Sequence, residues 1–126
     1  MKIRAVLGAL VGVGVLLQIF LGESGLAAGA FRDIHATIGL LGIVVTAGYL
    51  FMNGRNKALA AIAAAVLLIT VVQAVMGLSL YGWLRLGIPY RALIESHRGT
   101  AYVLFALGIA ASVAAVIIRR RSKATS

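Results

Sequence analysis

Four stretches of this chain lack any Asp, Glu, Lys or Arg for long enough to cross a lipid bilayer, and nothing else in the sequence restricts the fold so much. They cover residues 5–22, 34–54, 58–84 and 99–118. At about 1.5 Å of helical rise per residue, about 20 apolar residues span a hydrocarbon core of about 30 Å. The expected architecture is therefore all-α, an integral membrane four-helix bundle. Its spans are expected at about 4–22, 33–53, 58–79 and 95–118. A chain of 126 residues fits a single domain, here residues 1–126. With 62% hydrophobic and 12% charged residues, it has too little polar surface to cover a soluble core of this size.

The net charge of +9 suggests nucleic acid until its distribution is considered. Lys2, Arg4, Arg55, Lys57, Arg119, Arg120, Arg121 and Lys123 all fall on one side of a four-span topology. Arg32, Arg85, Arg91 and Arg98 fall on the other, with all three acids, Glu23, Asp33 and Glu95. The positive-inside rule then places both termini in the cytoplasm and the protein in the cytoplasmic (inner) membrane. The basic tail reads as a topology anchor that touches anionic membrane lipid, and no nucleic-acid partner is expected.

Residues 1–30 resemble a signal peptide, with Lys2 and Arg4, an apolar run and Ala28-Gly29-Ala30. The apolar stretch exceeds a usual signal core, so it reads as a retained first span. Gly8-x-x-x-Gly12 within it allows close helix approach, inside the bundle or in a homo-oligomer. The connection Gly54-Arg55-Asn56-Lys57 is short enough to make spans two and three antiparallel neighbours. Residues 80–94 alternate apolar and aromatic side chains with Arg85 and Arg91 around Pro89, as an outer segment lying on the membrane surface would. With no cysteine in the chain, thiolate catalysis and Cys-based metal or iron–sulfur sites are excluded.

The two halves of the chain look alike. Gln18-x-x-x-Gly22 in the first span matches Gln73-x-x-x-Gly77 in the third, and Asp33-x-His35 opening the second matches Glu95-x-His97 opening the fourth. The expectation is two pseudo-repeated helix pairs about an axis along the membrane normal.

His35 and His97 are the only histidines, both about half a turn inside their helices and so at equal depth. Ionisable groups inside a membrane span are costly and usually face the bundle interior. In a four-helix bundle, spans two and four can stand on one diagonal, which lets both imidazoles point inward at one level. That arrangement suits the axial ligation of a haem iron by His35 and His97. Gly39 and Gly99 leave room beside the rings, and Arg32 and Arg98 are candidate partners for the haem propionates or for phospholipid. Gln18 and Gln73, at similar depth, are candidates for a hydrogen bond to an imidazole N–H or a porphyrin edge, or for simple interhelical bonds. Met76 reads as packing.

In this arrangement Glu95-Ser96-His97-Arg98, and more loosely Asp33-Ile34-His35, resemble the acid–histidine–arginine signature of the haem A synthase family. The resemblance extends over the layout of the whole chain, which corresponds to a single four-helix half. It implies that His35 and His97 are axial haem ligands, and it raises haem modification by an oxidoreductase as an activity; no catalytic residue is identified. The family's outer-loop cysteine pair and second haem-bearing half are absent, and each acid stands two residues before its histidine where three are expected. The inference taken forward is therefore a small b-type cytochrome carrying electrons to a redox partner or within a larger membrane complex. The alternative is a cofactor-free accessory subunit of such a complex. A transporter ranks last, because no span carries a charged relay.

Overall fold

The computed structural model describes residues 2–124, without the side chains of Lys2, Arg4, Ala5, Arg119 and residues 122–124. Of the basic residues behind the expected topology, Lys2, Arg4, Arg119 and Lys123 thus lie outside the described side chains. The chain forms four α-helices, α1 Lys2–Glu23, α2 Arg32–Asn53, α3 Lys57–Tyr81 and α4 Tyr90–Ala124, with one 3-10 turn at Leu26–Ala28. The shortest have 22 residues, about 33 Å at about 1.5 Å per residue, enough to match a hydrocarbon core. All four are long and apolar enough to cross a membrane.

Local chemistry sets the helix ends. Asp33 stands in the first turn of α2, where a carboxylate faces the positive end of the helix dipole. The Asn56 side chain caps α3, its Oδ1 accepting from the Leu59 N–H at 3.1 Å. Asn56→Ala is accordingly expected to cost about 1 kcal/mol, read as a shift in the unfolding curve of the detergent-solubilised protein. At its other end α3 closes on Gly82, whose φ of 97° only glycine adopts without strain. The Trp83 N–H then donates back to the Leu78 carbonyl at 2.9 Å, which fixes where the indole leaves the helix. Pro89 stands just before α4 and accepts from the Leu93 N–H at 2.9 Å. Its fixed φ suits the first turn of a helix, so α4 starts at Tyr90 instead of about residue 95. The stretch 80–94 is therefore divided among the end of α3, an irregular segment over 82–89 and the start of α4.

The helices stand at the corners of a square. Each packs against its neighbours in chain order, and α4 returns to α1. Among the described residues no Cα of α1 lies within 8 Å of one in α3, nor one of α2 within 8 Å of one in α4, so those pairs occupy the diagonals. The turn between α2 and α3 spans only residues 54–56, which leaves these helices no choice but to be antiparallel neighbours.

Small residues let the helices close on one another. Ala63 and Val66 are completely or almost completely buried, and Leu21, Met76, Leu93, Leu104 and Ala111 complete the apolar core. A Cβ on Gly42 would meet the Thr70 methyl at 3.6 Å, and one on Gly8 would meet the Tyr49 ring at 3.7 Å. Thr46 and Thr70 are buried and donate to carbonyls one turn back, Gly42 and Val66, both at 2.8 Å. The outer faces show the reverse of a soluble bundle: Phe51 is 82% exposed and Val44 68%. Apolar side chains covering the perimeter suit hydrocarbon as their solvent.

Candidate functional site

At the end of the bundle where α1 and α3 finish and α2 and α4 begin, side chains from all four helices surround a cavity of about 660 Å³. That falls within the range of roughly 300–1,000 Å³ common for cofactor-sized sites. His35 from α2 and His97 from α4 line it, reaching toward each other across a diagonal. Their ring centroids are 6.2 Å apart and their planes are inclined at 75°. Two metal–imidazole bonds of about 2 Å in line, with each centroid roughly 1.1 Å behind its nitrogen, separate the centroids by about 6 Å. Inclined planes are compatible with that arrangement, because both can contain one common axis.

Each histidine is tied to the helix beside it in the same way. The Gln18 Nε2 of α1 donates to the His35 backbone carbonyl at 2.8 Å, and the Gln73 Nε2 of α3 donates to the His97 carbonyl, also at 2.8 Å. Four atoms around these bonds are buried without a partner: Oε1 of Gln18 and Gln73, and Nδ1 of His35 and His97. Glycines permit the close fit. A Cβ on Gly39 would come within 3.0 Å of Gln18 Nε2, and one on Gly77 within 3.4 Å of His97 Cε1.

The cavity mouth is polar. Arg98 of α4 makes a bidentate pair with Glu23 of α1, donating through Nε at 2.6 Å and a terminal nitrogen at 2.7 Å. On the adjoining side, the Tyr81 hydroxyl of α3 donates to Asp33 Oδ1 of α2 at 2.6 Å. The Arg32 guanidinium lies 4.4 Å from the centre of the Tyr81 ring and 3.7 Å from the Asp33 carboxylate. Both arginines therefore line the mouth while already paired within the protein.

Of the candidates from the sequence, His35, His97, Gln18, Gln73, Arg32, Arg98 and Gly39 all line this cavity. Gly99 does not: a Cβ there would meet nothing within 4 Å. Two residues after His97, it points to a different side of α4, whereas Gly39, one turn after His35, shares its face. The glycine that abuts the His97 ring is Gly77, across the helix boundary on α3. The glutamine amides reach histidine backbone carbonyls through their nitrogens. Met76 is buried in the core and does not line the cavity. Glu23 and Tyr81, not singled out in the sequence as site residues, close the mouth. Compared with family models, curated proteins and solved structures, the chain matches none.

Proposed function

We propose that this protein is a membrane b-type cytochrome that holds one haem between His35 and His97. The observation that carries the reading is the meeting of the chain's only imidazoles at 6.2 Å across the cavity diagonal. Their donor chemistry suits the group: imidazole is a common axial ligand, and an apolar bundle interior with a polar mouth suits a macrocycle whose acidic edge faces water. When bound, haem supplies a one-electron couple. The chain's own residues do the rest. His35 and His97 would hold the iron from helices on opposite corners of the bundle. Arg32 and Arg98 offer cationic donors to the propionates at the mouth, sharing them with Asp33 and Glu23. With both imidazoles committed to it, the group would offer one-electron transfer and no open site for oxygen or substrate, which favours electron transfer over a haem A synthase-like oxidation.

In the membrane, the positive-inside rule puts both termini in the cytoplasm and the histidine end at the outer face. The matching glutamine-to-carbonyl bonds support reading α1–α2 and α3–α4 as a duplicated pair.

Absorption spectra of the purified full chain, oxidised and then reduced with dithionite, test the proposal. A Soret band that sharpens on reduction, with about one haem extracted per chain, is expected. Colourless protein from haem-replete cells, migrating stoichiometrically with larger subunits, would replace this reading with that of an accessory subunit.

A further inference from the structure

The four partnerless polar atoms beside the rings form two identical sets, each an amide oxygen and an imidazole nitrogen contributed by a glutamine and a histidine already bonded to each other. We infer that Gln18 and Gln73 are positioning residues for the two imidazoles, each amide oxygen taking the Nδ1–H of the histidine whose backbone carbonyl its own nitrogen holds. This deepens the ligand reading above and rests on it.

The hydrogen-bonding inventory leads to this pairing. A glutamine amide has a donor end and an acceptor end, and a neutral imidazole carries its proton on one nitrogen and a lone pair on the other. In both sets one N–H of the amide is held by a backbone carbonyl at 2.8 Å, and the atom left without any partner is the amide oxygen, an acceptor. An acceptor is complemented by Nδ1 only when Nδ1 bears the proton. In the opposite tautomer Nδ1 has no proton to give, and the buried amide oxygen gains no donor from the ring. With Nδ1–H engaged, the lone pair is confined to Nε2, the nitrogen then free to ligate a metal. Metal-bound histidines commonly donate their second N–H to a fixed acceptor, which orients the ring and raises its basicity.

In each pair one glycine leaves room, for the amide in the first and for the ring in the second. Gly39 lets the Gln18 amide lie against the α2 backbone, where a Cβ would stand 3.0 Å from Nε2. On the other pair, Gly77 lets the His97 ring lie against α3. The same donor–carbonyl bond and the same orphaned pair of atoms thus arise twice, from different helices and different neighbours.

The test separates the two ends of the amide. Gln18→Glu keeps an acceptor and loses the donor to the backbone, whereas Gln18→Leu loses both. In the full chain labelled with 15N-histidine and studied before haem is added, long-range proton–nitrogen correlation at alkaline pH reads the tautomer of each ring. Both rings are expected as the single Nδ1–H tautomer in the unsubstituted protein. Gln18→Glu is expected to retain it at His35, and Gln18→Leu to lose it there with His97 unchanged. The Gln73 variants should mirror this at His97, and they carry the test if a Gln18 variant fails to fold.

After haem loading, Gln18→Glu should lower the midpoint potential and Gln18→Leu should raise it, because a stronger acceptor makes the ligand more electron-rich. Rings protonated at Nε2 in the unsubstituted protein, or identical behaviour of the Glu and Leu variants, would overturn the inference. A missing Soret band in the unsubstituted protein strikes the ligand reading instead, and the tautomer result is obtained without haem.

Discussion

His35→Ala and His97→Ala are each expected to abolish the six-coordinate haem spectrum, and neither alone should retain a normal Soret band. Under the proposed ligation each ring would supply one of two bonds to a shared iron, across the 6.2 Å between the ring centroids. Losing an outer partner of a metal ligand typically costs about 10–100-fold in affinity. Removing the ligand itself is expected to cost more than about 100-fold, measured by haem transfer to an acceptor protein. The haem-free bundle should respond quite differently. There each truncation removes at most the Nδ1–H bond to the neighbouring glutamine oxygen, about 0.5–1.5 kcal/mol. Haem affinity should therefore collapse while the resistance of the empty bundle to denaturant falls only by that amount. Retention of a full Soret band by either single variant would refute ligation by both histidines.

Gly39→Leu is expected to produce the largest structural effect of any glycine replacement at the site. The first added carbon would already stand 3.0 Å from Gln18 Nε2, so the amide must give way before the remaining three are accommodated. Overpacking of this kind costs about 1–3 kcal/mol. Displacing the amide from the His35 carbonyl adds the loss of a hydrogen bond, about 0.5–1.5 kcal/mol. Together they predict roughly 2–4 kcal/mol, measured as a lowered unfolding midpoint, with haem binding impaired through the displaced ring. Gly99→Ala is the control. A Cβ there meets nothing within 4 Å, and alanine restrains the unfolded helix better, so stability should stay level or rise by up to about 1 kcal/mol. Equal destabilisation by both would mean that the α1–α2 contact does not depend on Gly39.

The four helices were legible in the sequence because charge is so expensive in hydrocarbon that its absence marks a span. The adjacency of α2 and α3 was legible too, in the short connection at 54–56, but that alone leaves α4 either opposite α2 or beside it, and the packing decides for the diagonal. The meeting of His35 and His97 did not rest on equal distances from their helix starts: His35 comes three residues after Arg32, but His97 comes seven after Tyr90, about two turns into α4. What escaped was everything depending on rotation about a helix axis or on contacts distant in sequence. Gly99 lies near His97 in the chain and on another side of α4 in space, while Gly77 is distant in the chain and adjacent in space. The Arg98–Glu23 and Tyr81–Asp33 pairs join residues 75 and 48 positions apart, and no local periodicity announces them. The earlier start of α4 had a visible signal in Pro89, whose preference for a helix's first turn competes with its reading as a breaker.

The turn at 54–56 joins the two helix pairs at one end of the bundle, as a spine joins two leaves of a book. One leaf is α1 with α2, pinned by Gln18, and the other is α3 with α4, pinned by Gln73. His35 stands 18 residues from Asn53 along α2, roughly 27 Å from the spine at about 1.5 Å per residue, so parting the leaves by one degree widens the gap between the rings by about 0.5 Å. The Glu23–Arg98 and Asp33–Tyr81 bonds act as clasps on the fore-edge, where the lever arm is longest and a modest force holds best.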